Sequence, residues 1–201
     1  MDILEPLKSR ILAASQVARR GGLVIYPTET VYGLGCNPFD IDAVKRVFQV
    51  KGQRRKPVPI LASSINYIEK IACVTRDGKI LAQRFWPGPL TLIFLKKRLL
   101  PDVVTSRLDT VGVRIPKHDV ARELIRLCGG LLIGTSANVS GEQPPRTVEE
   151  IPQELKKQVD TVIDCGSTEY GMPSTIADLS RGKLRMVREG PVGLKELSNL
   201  L

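Results

Sequence analysis

The sequence is poor in the residues on which several kinds of protein chemistry depend. It has a single histidine, His118, and four cysteines that lie far apart and form no C-x-x-C pair, which argues against a structural zinc site. Aromatic residues make up only 4% of the chain, whereas proteins that bind single-stranded nucleic acid stack bases on exposed rings. We predict no zinc centre and no disulfide. We interpret the thiols as small buried hydrophobic groups, at Cys36, Cys73, Cys128 and Cys165.

Long apolar runs are also absent. No run reaches the roughly 18 to 20 residues that a membrane span needs, and charged residues are scattered through the first twenty positions. The sequence therefore predicts neither a membrane span nor a secretion signal, and it indicates a cytoplasmic protein. With 201 residues, of which 42% are hydrophobic and 25% charged, the chain is expected to form one domain over residues 1–201.

Three well-known active-site motifs are missing. There is no G-x-x-x-x-G-K-[ST] phosphate loop, and the glycines Gly33 and Gly35 are followed by Cys36 and Asn37 rather than by a third glycine. No G-x-S-x-G elbow presents a serine nucleophile. These absences argue against P-loop, Rossmann and serine-hydrolase functions.

Positive charge is in excess. The chain has 30 Lys and Arg against 21 Asp and Glu, a net charge of +9, which favours a polyanionic partner such as a nucleotide or RNA. The same excess is also compatible with a merely solubilising surface.

Helical and strand patterns alternate along the chain, as is typical of an α/β protein. Helices are predicted at 5–20, 41–50, 64–73, 77–85, 118–128 and 148–158, and strands at 23–26, 58–62, 90–95, 111–115, 131–134, 161–164, 174–179 and 184–188. Asp40 is the expected N-cap of the second helix, and His118 is expected to cap or border the fifth. Gly/Pro-rich connections at 86–89, 140–145 and 166–173 are expected to border a cleft. We predict one open, twisted mixed sheet with flanking helices.

Hydroxyl, amide and cationic side chains are concentrated at the predicted strand ends. Such groups suit the recognition of phosphate and carboxylate, and strand ends of an α/β sheet converge on one crevice. The basic run 51–56 can equally be a solvated loop, and 134–141 a turn with a helix cap. The candidates are Thr28, Thr30, Lys51, Arg54, Arg55, Lys56, Arg114, Ser136, Asn138, Ser174, Thr175 and Arg188.

Five segments occur in the same order as the signature stretches of the YrdC family. They are residues 26–35, 85–91, 111–116, 135–141 and 173–176, and the resemblance extends over about residues 20–192. It implies an open α/β fold with a large basic concave cavity. It also implies a nucleotidyltransferase that condenses L-threonine, bicarbonate and ATP to threonylcarbamoyl-AMP and pyrophosphate. No protein nucleophile is needed for such a reaction, because positioning and fixed positive charge suffice.

The resemblance also implies a cofactor and a downstream partner. Mg²⁺ is expected to be bound through the ATP phosphates rather than by protein ligands. The product is expected to pass to a separate tRNA threonylcarbamoyl transferase complex that modifies an adenosine beside the anticodon. The chain ends soon after Gly193, so it resembles the short members of the family that have no additional domain.

Site residues follow from the resemblance position by position. It places L-threonine at Thr30, Arg114 and Ser174, and the nucleotide at Lys51, Arg54, Lys56, Thr110, Ser136, Asn138, Arg146 and Arg188. Lys51 opens the K-x-R element of the family, but the third residue here is Gln53. Arg54 is therefore expected to take over the phosphate contact of the motif arginine, which makes Lys51 and Arg54 the expected catalytic cations.

Two other functions stay open at this point. The net charge and the altered K-x-R element are also compatible with a YrdC-like protein that binds tRNA, double-stranded RNA or the ribosome and has no synthase activity. Carbamoyl transfer from a different donor, as in the related domain of hydrogenase-maturation proteins, is less favoured because the extra domains of those proteins are missing here.

Overall fold

Helices and strands alternate through the part of the chain that the computed structural model describes, residues 5–52 and 56–201. The helices are α1 (Glu5–Arg19), α2 (Ile41–Val50), α3 (Ile65–Ile71), α4 (Arg76–Phe85), α5 (Asp119–Leu127), α6 (Gln153–Lys156) and α7 (Leu194–Ser198). The strands are β1 (Val24–Tyr26), β2 (Gly33–Gly35), β3 (Ile60–Ala62), β4 (Leu90–Leu95), β5 (Thr110–Arg114), β6 (Leu131–Ile133), β7 (Thr135–Ser136), β8 (Thr161–Val162), β9 (Thr175–Asp178) and β10 (Arg185–Arg188). The predicted α/β class is confirmed.

Local signals explain where the predicted elements succeed and fail. Asp40 caps α2 as expected, because its side chain accepts hydrogen bonds from the N–H groups of Asp42 and Ala43. The predicted helix 148–158 is wrong in extent, since only α6 forms. Pro152 precedes α6, and the residue before a proline is driven out of the helical conformation. The short β2, β7 and α7 were missed, because tertiary pairing and packing stabilise them more than local propensity does.

The strands form two sheets rather than the single sheet that was predicted. One has the order β7-β2-β1-β8 and the other β10-β9-β4-β5-β3-β6. They adjoin where β6 and β7 are separated by Gly134 alone: the N–H of Ile133 donates to Cys36 O and that of Gly134 to Pro59 O, both at 2.9 Å. A Cβ at Gly134 would collide with the Leu61 side chain. Glycine at this position lets the backbone pass close to Leu61 as the chain leaves one sheet for the other. The hydrophobic pattern of the sequence does not reveal this transition.

The larger sheet has one apolar face and one face that borders a cavity. Leu92, Phe94, Val111, Val113 and Ile60 belong to the main hydrophobic core. The residues that alternate with them on β4, β5 and β9 line the cavity instead, at Thr91, Ile93, Gly112, Arg114 and Ile176. Because successive side chains of a strand point to opposite faces, each of these strands contributes to both core and cavity.

A second hydrophobic cluster joins α1 and α5 to the edge of the fold. It contains Ile11 and Ala14 of α1, Leu124 of α5 and Tyr26 of β1.

No helix in residues 5–52 and 56–201 combines the length and apolar character that crossing a membrane requires.

The cysteines are only partly as predicted. Cys36 is buried and Cys128 is half-buried, but Cys73 and Cys165 are exposed, so the prediction of buried thiols is wrong for these two. Both exposed thiols lie in connections between elements, and such segments run over the protein surface.

Candidate functional site

A cavity of about 540 Å³ lies over the polar face of the larger sheet. Strands β3, β4, β5 and β9 form its floor, and residues from the end of α2 and from the connection that contains β7 contribute to its walls. Seven of the predicted site residues line it: Thr30, Lys51, Lys56, Arg114, Ser136, Ser174 and Arg188. Segments far apart in the sequence thus meet at one cavity, as predicted.

The segment between β1 and β2 carries Thr30 and is rigidly built. Thr28 Oγ1 donates to Val31 O at 2.7 Å and lies 2.8 Å from Thr30 Oγ1. Two neighbouring loops also bond to this segment, because the N–H of Tyr32 donates to Pro145 O and the N–H of Tyr170 donates to Glu29 O, both at 2.9 Å. Thr30 is therefore held in place before any ligand arrives.

Arg114 is a buried cation at the end of β5, with only 5% of its surface exposed. Its Nη1 donates to Glu29 Oε1 and to Thr30 Oγ1, each at 3.1 Å. Since Thr30 accepts from Arg114, its own hydroxyl proton can point to Thr28, which in turn donates to Val31 O. This chain of donors leads from the guanidinium to the backbone and fixes the orientation of Arg114.

Glu29 makes the burial of Arg114 tolerable. The carboxylate is 1% exposed and forms an ion pair with the guanidinium, and a buried charge without a partner is strongly destabilising. Among the described residues, only Glu29 and Thr30 accept from Arg114, and both accept from Nη1. Its remaining N–H groups are available to a ligand, and a guanidinium is suited to paired hydrogen bonds with a carboxylate. Glu29 was not predicted, although it stands between Thr28 and Thr30.

Ser174 and Arg188 meet at the cavity lining. Arg188 donates to Ser174 O from Nη2 at 2.8 Å and to Ser174 Oγ at 3.2 Å, and Ser174 Oγ lies 2.8 Å from Thr91 Oγ1. Partial burial and the charge of Arg114 lower the pKa of Arg188. The effect of Arg114 means that two cations act on the same space, which favours anionic ligands.

Lys51 lies at the C-terminal end of α2 and is 8% exposed. Its Nζ donates to Ser136 O at 2.6 Å and to Asn138 O at 2.8 Å. An ammonium group has three donors, so one remains for a ligand. Burial lowers the pKa of Lys51 to about 8. The lysine thus joins α2 to the segment after β7 and brings a titratable cation to the cavity wall.

Of the remaining predicted nucleotide residues, the three that the structure describes do not line the cavity. Thr110 begins β5, roughly 14 Å along the strand from Arg114. Asn138 is buried and donates to Val139 O and Glu142 O, so its amide stabilises the loop. Arg146 is exposed and packs against Gly171. The Arg54 prediction falls outside the described residues.

His118 borders α5 as predicted, without a side-chain capping bond. Burial lowers the pKa of His118, which the charge of Glu29 partly opposes. It does not line the cavity, and no catalytic role follows from its position.

A second, larger cavity of about 790 Å³ is lined by residues of α2 and of the segment between β4 and β5. Phe48 is the one described residue that lines both cavities, and none of the predicted site residues that the structure describes lines the larger one. The smaller cavity is therefore the candidate site, because the convergent hydroxyls and cations lie there.

Comparison with known proteins gives consistent matches. The model of the Sua5/YciO/YrdC family, which bears the description "Telomere recombination", matches residues 16–190. A threonylcarbamoyl-AMP synthase of Pyrococcus abyssi is 39% identical over 200 residues, which are 98% of this chain and 58% of that protein. A Methanocaldococcus jannaschii protein is 40% identical over 197 residues, which are 98% of this chain and 89% of that protein.

Solved structures agree with these matches. The crystal structure of P. abyssi Sua5 complexed with L-threonine superposes with a TM-score of 0.94 at 38% identity, covering 100% of this chain and 59% of that chain. Escherichia coli YciO superposes with a TM-score of 0.82 at 26% identity and is covered over 92% of its length. The chain thus spans less than two thirds of the P. abyssi protein and nearly all of the shorter relative.

Proposed function

From the premise that this chain belongs to the Sua5/YciO/YrdC family, we propose that it is a threonylcarbamoyl-AMP synthase. The observation that carries the proposal is the buried guanidinium of Arg114, held by Glu29 and Thr30 with donors to spare. It borders a cavity that is also lined by Lys51 and Arg188. Two anionic groups can therefore be bound side by side, as joining an amino acid to a nucleotide requires.

L-Threonine is proposed to bind at Arg114, Thr30 and Ser174. Its carboxylate pairs with the free side of the Arg114 guanidinium, an arrangement in which both ions keep strong hydrogen bonds. Thr30 and Ser174 are 1% and 7% exposed, so their hydroxyls bind polar groups of the substrate in a largely dehydrated place. The P. abyssi relative complexed with L-threonine supports this assignment.

The phosphates of ATP are proposed to lie toward Lys51, Lys56, Ser136 and Arg188. Threonine and bicarbonate first give a carbamate with loss of water. A carbamate oxygen then forms a bond to the α-phosphorus of ATP, while the bond from that phosphorus to the bridging oxygen breaks and pyrophosphate leaves. Lys51 stabilises the charge that develops on the phosphates, because its ammonium group is already desolvated and oriented before the reaction.

Mg²⁺ is the proposed cofactor, and when bound it neutralises charge on the ATP phosphates. The described residues that line the cavity include hydroxyls and cations but no carboxylate. This donor set fits an ion bound mainly through the phosphates of ATP. Lys51 and Arg188 then supply the fixed positive charge that the protein itself contributes.

The product is a mixed anhydride of a carbamate and a phosphate, which must be consumed by an acyl-type transfer. We propose that a separate tRNA threonylcarbamoyl transferase complex uses it. A cytoplasmic location agrees with that role and stays a prediction.

The test is to incubate the full chain with ATP, Mg²⁺, bicarbonate and labelled L-threonine and to detect threonylcarbamoyl-AMP and pyrophosphate. Reactions that lack bicarbonate or L-threonine are the controls and should yield no adduct. A protein that takes up RNA but makes no adduct would refute the proposal and favour the binding-only alternative.

A further inference from the structure

Gly112 stands in the middle of β5, between the core residues Val111 and Val113. A glycine in a strand interior weakens the strand because it has no side chain to pack. Its presence therefore needs a reason, and there are three candidates: an unusual backbone conformation, a close protein neighbour, or a ligand.

The first two candidates are not supported by the geometry. Gly112 is not among the residues with positive φ, so an L-amino acid can adopt its backbone conformation. A Cβ built on it would lie 3.3 Å from Thr91 Cγ2, 3.7 Å from Pro59 Cβ and 3.8 Å from Ile93 Cγ1. Only the first of these distances is tight, and it involves the end of a side chain rather than backbone. The protein itself thus accepts a methyl group once Thr91 yields by a few tenths of an ångström.

Gly112 faces the cavity, where Thr91, Ile93 and Pro59 surround it. Because residue 112 has no side chain, the backbone of β5 itself forms the cavity floor at this point. Arg114, two residues along the same strand face and roughly 7 Å away, marks the proposed threonine end. The cavity also extends past Gly112 to Pro59 and to Lys56, which precedes the segment that leads to Pro59 and to which the proposed function assigns the phosphates of ATP.

We infer that Gly112 is a nucleotide-binding position at which the nucleotide rests directly on the backbone of β5. This inference rests on the proposed function and adds to it the surface on which ATP lies. A side chain at position 112 would occupy that surface and leave the threonine end at Arg114 free.

The experiment measures binding of Mg-ATP and of L-threonine separately, by calorimetry, to the unmodified chain and to Gly112→Ala and Gly112→Val. We expect Gly112→Ala to weaken Mg-ATP binding by roughly 5- to 100-fold, the range that overpacking by a small group produces, and Gly112→Val to weaken it further. L-Threonine affinity should stay within about twofold, which also reports that the variants are folded.

Two controls separate a clash with the ligand from crowding within the sheet. Gly193→Ala adds the same methyl group where no atom lies within 4 Å, and it should bind both ligands normally. Thr91→Ser, combined with Gly112→Ala, removes the one tight neighbour and keeps the hydroxyl. ATP binding should remain weak in that double variant; restoration would show that the sheet, not the ligand, was disturbed.

The outcomes for the inference and for the proposed function are distinct. If the unmodified chain binds both ligands and makes the adduct, but Mg-ATP binding is unchanged in both Gly112 variants, the inference alone is wrong. Equal loss of both ligands overturns the assignment of this surface to the nucleotide. If the unmodified chain binds neither ligand, the proposed function fails first and the inference with it.

Discussion

The cavity has an inner region and a rim that differ in how their polar groups are held. The inner region consists of Thr30, Lys51, Arg114 and Ser174, all buried and all hydrogen-bonded within the protein. The rim carries Lys56, an exposed cation that lines the cavity, whereas Arg188 is exposed but donates to Ser174. Removing an inner group should therefore have a large and ligand-specific effect, whereas the effect of a rim charge is weakened by solvent and salt.

The inner region and the rim differ in when their charged groups lose water. Arg114 and Lys51 lose water when the chain folds, and Glu29 and the carbonyls of Ser136 and Asn138 compensate them. A ligand that binds to them meets charges that are already oriented, which is the condition for strong electrostatic stabilisation. The Lys56 side chain at the rim must instead be ordered by the ligand itself, and this ordering reduces its contribution.

The largest effect is expected for Arg114→Ala. Loss of a buried charge partner costs roughly 2 to 5 kcal/mol, about 30- to 4000-fold in affinity. We expect this loss in the affinity for L-threonine, whereas the affinity for ATP should change little. Calorimetry with each ligand measures this. Arg181→Ala, which removes an exposed arginine that pairs with Asp109, is the control.

Arg114→Ala also leaves the Glu29 carboxylate buried without its partner. The companion variant Arg114→Ala/Glu29→Gln removes both charges and should regain stability relative to the single variant. Similar losses of L-threonine and ATP binding in this better-folded protein would contradict the division between the two ends of the cavity.

Lys51→Ala should be the next most damaging change. We expect adduct formation to fall by roughly 10- to 1000-fold, as when a preorganised transition-state contact is removed. Steady-state release of pyrophosphate measures it. Lys45→Ala, which removes an exposed lysine of the same helix, should leave turnover nearly normal; a Lys51→Ala enzyme with normal turnover would rule out the phosphate role.

The titration of Lys51 gives a pH dependence. Its pKa is lowered to about 8, so the ammonium form predominates below that pH and the neutral amine above it. Binding of Mg-ATP should therefore weaken by about tenfold between pH 7.5 and 9. The same measurement on Lys51→Ala should show a flat profile over this range, and a decline that persists in the variant would have to come from another group.

The smallest effect is expected at the rim. Lys56→Ala should reduce ATP affinity by no more than about threefold at 0.15 M salt, and the difference should shrink as salt is raised, because an exposed charge is screened. Titrations at two salt concentrations measure this. A salt-independent loss as large as that of Lys51→Ala would break the contrast between the inner region and the rim.

Much of the site could be predicted because hydroxyl and cationic residues at strand ends converge in an α/β fold. Thr30, Lys51, Arg114 and Ser174 meet as expected, yet their internal partners were not foreseen. Glu29 pairs with Arg114 across 85 positions of sequence, and no periodic pattern connects them. Thr110 and Asn138, placed by resemblance, lie outside the cavity lining, since a motif position does not specify the direction or the depth of a side chain.

The sequence by itself determined the α/β class, most helices and strands, and the chemical groups available to bind anions. These depend on local periodicity, capping and residue type, which neighbouring positions encode. Only the tertiary structure decided that the strands form two sheets that adjoin at Gly134 and that Glu29 is the counter-ion of Arg114. It also decided that Gly112 leaves the backbone of β5 uncovered on the cavity floor near Arg114. Each of these depends on contacts between distant segments, and the burial and electrostatics of such contacts exist only once the chain has folded.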